Sequence, residues 1–99
     1  MITEKVQLKN KKADGFVIPI GSLNLVGVVT DIGMVGCGAF DVAALDSFNY
    51  PAARVRSGKG GAIATIDDLL SGIVKDANAG AVKIGVRVGM TGRRALDLM

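Results

Sequence analysis

Between Phe16 and Leu45 the chain is apolar enough to suggest a membrane span, yet Pro19, Asn24, Asp31, Asp41 and five glycines interrupt it. An aspartate near the middle of a span costs about 2.5–3.5 kcal/mol on insertion scales, and the hydrophobic period changes twice within the stretch. The segment therefore has to be buried inside a protein, as short pieces. "LNLVGVVTD" (23–31) and "IGMVGC" (32–37) are apolar on both faces and are separated by a tight Thr30-Asp31-Ile32-Gly33 turn. Such strands belong in the middle of a sheet, with Gly27, Gly33 and Gly36 permitting close backbone approach.

The rest of the chain supplies what surrounds that middle. "ITEKVQL" alternates weakly and predicts a first strand, "ADG" (13–15) a turn, and "FVIPI" a strand that Pro19 confines to an edge or bulge. Phe40, Ala44 and Phe48, with Val42 and Leu45 beside them, predict a helix over 39–48 that Pro51 closes. "AARVR" (52–56) reads as a strand with Arg54 and Arg56 opposite Ala53 and Val55. After the loop "SGKGGA", Thr65 caps a helix with Asp67 and Asp68 in its first turn and Ile66, Leu69, Leu70 and Ile73 on one face. "VKIGVRV" (82–88) alternates strictly and predicts a strand with Val82, Ile84, Val86 and Val88 facing the core. A last helix, capped by Thr91, turns Ala95, Leu96 and Met99 inward. The order ββββ-α-β-α-β-α predicts an α+β domain spanning 1–99, with a mainly antiparallel or mixed sheet and about three helices packed on it.

Composition narrows the class of function. The 99 residues carry a net charge of +3. Lys5, Lys9, Lys11 and Lys12 against Glu4 account for all of it, so the remaining residues are balanced. Four aromatic residues and no basic stripe argue against nucleic-acid binding; the lysines read as a solvated edge strand. One cysteine forms no internal disulfide and needs no oxidising compartment, so a cytoplasmic location is expected. At 49% hydrophobic, a chain this short carries more aliphatic surface than it buries alone, which points to self-association.

Together "CGAFDV" (37–42), "YPAARV" (50–55), "TIDDLL" (65–70) and "VGMTGRRALDLM" (88–99) resemble the YunC-like family of bacterial and archaeal proteins, a domain of unknown function. The resemblance implies an α+β domain that tetramerises through its N-terminal β-region, here residues 1–22, and it implies no catalytic residues. The chain departs from the family in having Gly92-Arg93-Arg94 where Gly-Arg-Glu is usual, and in a longer, glycine-richer loop before "TIDDLL".

Few residues carry chemistry. Cys37, between Gly36 and Gly38 and just ahead of a helix, is placed as a nucleophile or as part of an anion cradle, with open backbone N–H groups on either side. The chain has no histidine to act as its base, so Asp41, Lys59 or Arg93 would have to assist. The bland alternative is a small buried apolar residue. "SGKGGAIAT", with Lys59, lacks the spacing of a phosphate loop. Thr91 and Arg93 at the last helix start form a second candidate anion contact. With no histidine and no paired cysteines, no metal or other cofactor is expected. Two readings stay open: a homo-oligomer binding a small anionic ligand between subunits, and a small enzyme acting on an anionic substrate through Cys37.

Overall fold

The computed structural model describes residues 1–99. Six strands form one sheet in sequence order, antiparallel throughout except between the fourth and fifth. β1 (Ile2–Gln7) and β2 (Lys12–Ile20) make the first hairpin, closed by the Leu8 N–H donating to the Lys11 carbonyl at 2.8 Å. The turn expected at 13–15 is thus displaced to 8–11, because Leu8 and Ala13 are both buried on the core side. Gly15 lies within β2, where the Ile66 side chain occupies the space a larger residue would need. Pro19 lies beyond the end of β1, which starts opposite Val17, so its missing N–H breaks no bond there.

β3 (Leu23–Val29) and β4 (Met34–Gly36) are joined by the expected turn, in which Thr30 Oγ1 accepts from the Ile32 and Gly33 N–H groups at 3.1 Å each. β4 and β5 (Ala52–Arg56) are parallel, so residues 37–51 form a crossover. Within it α1 (Val42–Asp46) is shorter than the helix expected over 39–48. Asp41 caps it by accepting from the Ala44 N–H, and the chain turns at Asn49 (φ 59°), leaving Phe48 78% exposed.

α2 (Ile66–Ser71) carries the expected capping box: Thr65 accepts from the Asp68 N–H, and the Asp68 carboxylate accepts from the Ala64 and Thr65 N–H groups. The Ala64 N–H bond above all holds the Asp68 carboxyl below the ordinary aspartate range. As pH falls, the unfolded chain takes up this proton first. The contribution to stability is therefore complete above the unfolded-state value and lost as pH drops through the folded-state value. Melting curves from neutral pH down into the acid range should show this loss, and Asp68→Asn should flatten it. Thr65→Ala should cost about 1 kcal/mol at neutral pH.

The sixth strand is not where alternation predicts it. Gly72 ends α2, and β6 (Ile73–Ala77) follows at once, pairing with β5, so Ile73 is a strand residue rather than the last of a helical face. Asn78 then stops the strand. Its buried side chain accepts from the Ala52 and Ala81 N–H groups and donates to the Val42 and Tyr50 carbonyls, which caps α3 (Ala79–Lys83) over part of the expected strand. Of the alternating residues only Val86 is fully buried; Val88 is 67% exposed. Positive φ at Gly85 and Gly89 bends the chain on both sides of Val86. α4 (Gly92–Asp97) follows with its expected Thr91 cap. Helix count and cross-connections aside, the α+β mixed sheet is as predicted.

α2 and α4 cover one face of the sheet, over a core of 20 buried residues, with Leu69, Leu96 and Met99 the largest fully enclosed. On the other face α1 forms a smaller cluster with Met34 and Ala52, against which Val29 also packs. Phe16, which meets Phe40 edge-on, and Ile18 and Leu25 on that face stay half-buried, with no helix over them. The outer edge of β6 is taken by residues 89–91, whereas β1 leaves its edge open. No helix is long and apolar enough to cross a membrane. The two ends of the chain meet: Asp97 accepts from the Lys9 N–H, Arg93 donates to the Gln7 carbonyl, and Lys11 Nζ donates to Met99 O.

Candidate functional site

The shortness of β4 makes the site. Gly36 pairs with Gly27 on one side and Arg54 on the other, and there β4 ends. β3 begins at Leu23 and β5 runs on to Arg56, so both extend past the end of the strand between them. Cys37 makes one last bond, its N–H donating to the Val26 carbonyl at 3.0 Å, and the chain then leaves the sheet. A cleft of about 360 Å³ opens in the gap. Cys37–Ala39 form its floor, Leu23 and Asn24 one wall, and Val55 and Arg56 the other. The 61–64 loop edges it and is tied to β3 by the Asn24 side chain donating to the Ala64 carbonyl at 3.0 Å.

Arg56 and Lys75 are the charged residues in this lining. Lys75 is there because the β5–β6 register shifts: Arg54 pairs with Asp76 but Val55 pairs with Val74, which leaves Lys75 out of the ladder. Its ammonium lies about 3.6 Å from where a side chain at Gly38 would begin. On the far side of the same turn, a second cleft of about 480 Å³ holds Arg54, Asp76, Asp41 and Asn78. Arg54 Nε donates to Asp76 at 2.6 Å, and its Nη1 donates to the Gly38 carbonyl at 3.2 Å. Gly38 thus lies between two cations, bonded to Arg54 on one side and with Lys75 near it on the other.

A model of a domain of unknown function (DUF1805) matches residues 36–99, from the last residue of β4 onward. The chain belongs to the DUF1805 family. It is 29% identical over 91 residues to the uncharacterized protein YunC of Bacillus subtilis (strain 168), covering 92% of this chain and 89% of that one. The crystal structure of a protein of unknown function, TA1206 from Thermoplasma acidophilum, has the same fold: TM-score 0.86 over 97% of this chain and 89% of that chain, at 24% identity. The DUF1805 match contains the floor of both clefts together with Arg54, Arg56, Lys75 and Asp76, while β1–β3 precede it.

The DUF1805 fold brings together some of the residues that the sequence singles out and separates others. Cys37 and Gly38 meet in the first cleft, and Cys37 is 6% exposed within the main core cluster. Gly36 is covered by the Phe40 ring, which lies where its side chain would be. Asp41 is engaged as the α1 cap and lines the second cleft. Lys59 stands on the loop beside Asp68, whose ionised form it favours. Thr91 caps α4, and Arg93 reaches the Gln7 carbonyl, beside a shallow depression with Asp67 and outside both clefts. Sequence reasoning does not single out Arg56 and Lys75 as site residues. The alternation in "AARVR" marks Arg56 as a residue opposite the core, but Lys75 falls in a stretch that reads as the tail of a helix.

Proposed function

We propose that this DUF1805 domain is a cytoplasmic, self-associating protein that binds a small anion in the cleft at the end of β4. The observation that carries this reading is the charge of the lining: Arg56 and Lys75 with no carboxylate among them. The neighbouring acids are engaged elsewhere, Asp76 by Arg54 and Asp68 by the 64–65 backbone. A ligand that binds only the native state raises its melting temperature. Inorganic phosphate should therefore stabilise the wild-type chain, and Lys75→Met and Arg56→Met should each reduce the shift. No shift, or one unchanged in both variants, would defeat the reading.

Self-association is assigned to the N-terminal strands, whose half-buried face (Phe16, Ile18, Leu25) and open β1 edge are the surfaces a second copy would cover. The family resemblance implies a tetramer, and closed symmetry favours a dihedral one. Light scattering at micromolar concentration should give a multiple of the chain mass; the mass of one chain would exclude it.

A second reading, an enzyme with Cys37 as nucleophile, is favoured by one observation: the residue lies on the floor of a cleft that also holds Lys75. The absence of histidine weighs against it. Cys37→Ala should cost at most about 1–2 kcal/mol, as for a small buried side chain. The thiol should react slowly with an alkylating probe at neutral pH. Rapid alkylation well below about pH 8.5, the free-thiol value, would favour the enzyme.

A further inference from the structure

Resting on the anion reading, we infer that the ligand of the β4 cleft is an amphipathic acid: one carboxylate or phosphate head carrying an apolar tail. The cations stand on one wall, beside Val55, and the exposed aliphatic residues stand on the other. Arg56 and Lys75 stand on the β5–β6 side. Facing them are Ile20 and Leu23 at the tip of the β2–β3 hairpin, with Ala62 and Ile63 on the loop. Only the missing continuation of β4 separates β3 from β5, so the walls stand about two strand spacings apart, roughly 9–10 Å. A head group held at Arg56 and Lys75 would thus direct a tail across the gap towards Leu23.

The cleft volume of about 360 Å³ falls in the range of small-molecule sites, and an inorganic anion would fill only part of it. Ile20 and Leu23 are 50% and 60% exposed, large aliphatic groups kept in water at the cleft mouth. A tail covering them removes apolar surface from water, which a bare phosphate cannot do. Two cations without a carboxylate select the sign of the head, and the aliphatic hairpin tip selects the tail.

The test is a binding series on the wild-type chain by calorimetry: acetate, hexanoate and octanoate, with octylammonium and octan-1-ol as controls and inorganic phosphate as the tailless reference. Affinity should rise along the acids, by up to about fourfold for each methylene that becomes fully buried. Octylammonium and octan-1-ol should bind at least tenfold more weakly than octanoate. Lys75→Met should weaken every acid. Leu23→Ser should weaken octanoate and leave acetate and phosphate as they were. Acetate or phosphate binding as tightly as octanoate would overturn the amphipathic ligand while leaving the anion reading standing. Octylammonium binding as well as octanoate, or binding of neither phosphate nor any of the acids, would overturn both.

Discussion

Leu96→Ala is expected to destabilise the domain by about 2–5 kcal/mol, the range for emptying a leucine site in a rigid core. Leu96 has no exposed surface and lies in the main core cluster, on the helix that packs against α2 and against β4, β5 and β6. The loss combines the transfer energy of the deleted atoms with a cavity that its neighbours fill only partly. The elements around α4 are themselves pinned, α2 by its capping box and β4 and β5 by the sheet, so little collapse is available. Against a total stability of about 5–15 kcal/mol for an ordinary domain, this is a large fraction. Urea unfolding should show a lower midpoint with an unchanged slope. A change under about 1 kcal/mol would mean that α4 is peripheral to the core.

Gly92→Ala is the sharper case, because local propensity and packing give opposite signs. Gly92 is the first residue of α4, and alanine in a helix is favoured over glycine by up to about 1 kcal/mol. The Gly92 position, however, lies against the backbone of α2: its N–H donates to the Gly72 carbonyl at 2.9 Å, and a methyl group there would press into the Leu69 carbonyl oxygen. That oxygen belongs to a helix end and cannot rotate away as a side chain would. Separating α2 from α4 is the remaining relief, and overpacking of this kind costs about 1–3 kcal/mol or more. The variant should be less stable than wild type; equal or greater stability would show that the two helices slide apart freely.

The parts of this fold that are legible in the sequence are those with a local chemical cause. The Thr30–Gly33 turn, the Thr65–Asp68 box and the Thr91 cap each depend on a side chain bonding backbone a few residues away, and each is present. The strand expected at 82–88 fails because its alternation has no such cause. Asn78, through bonds to residues as distant as Val42, ends the preceding strand and starts a helix, and no periodicity reports that. The site is half legible for the same reason. Cys37 between glycines signals a turn from the sequence alone. Lys75 reaches that turn only because the β5–β6 pairing slips by one residue.

The bonds between the two ends of the chain have a kinetic consequence. Lys9 with Asp97 and Arg93 with Gln7 join residues separated by 88 and 86 positions. Closing so long a loop carries an entropy cost that no nearby contact offsets, and chains rich in distant pairings fold slowly. The β1–β2 hairpin is complete long before α4 has emerged from the ribosome. Until α4 docks, the Lys9 N–H and the Gln7 carbonyl remain without these partners. The first strands are therefore the segment most exposed to mispairing during synthesis, and lysines along them are a sensible composition for a stretch that has to wait.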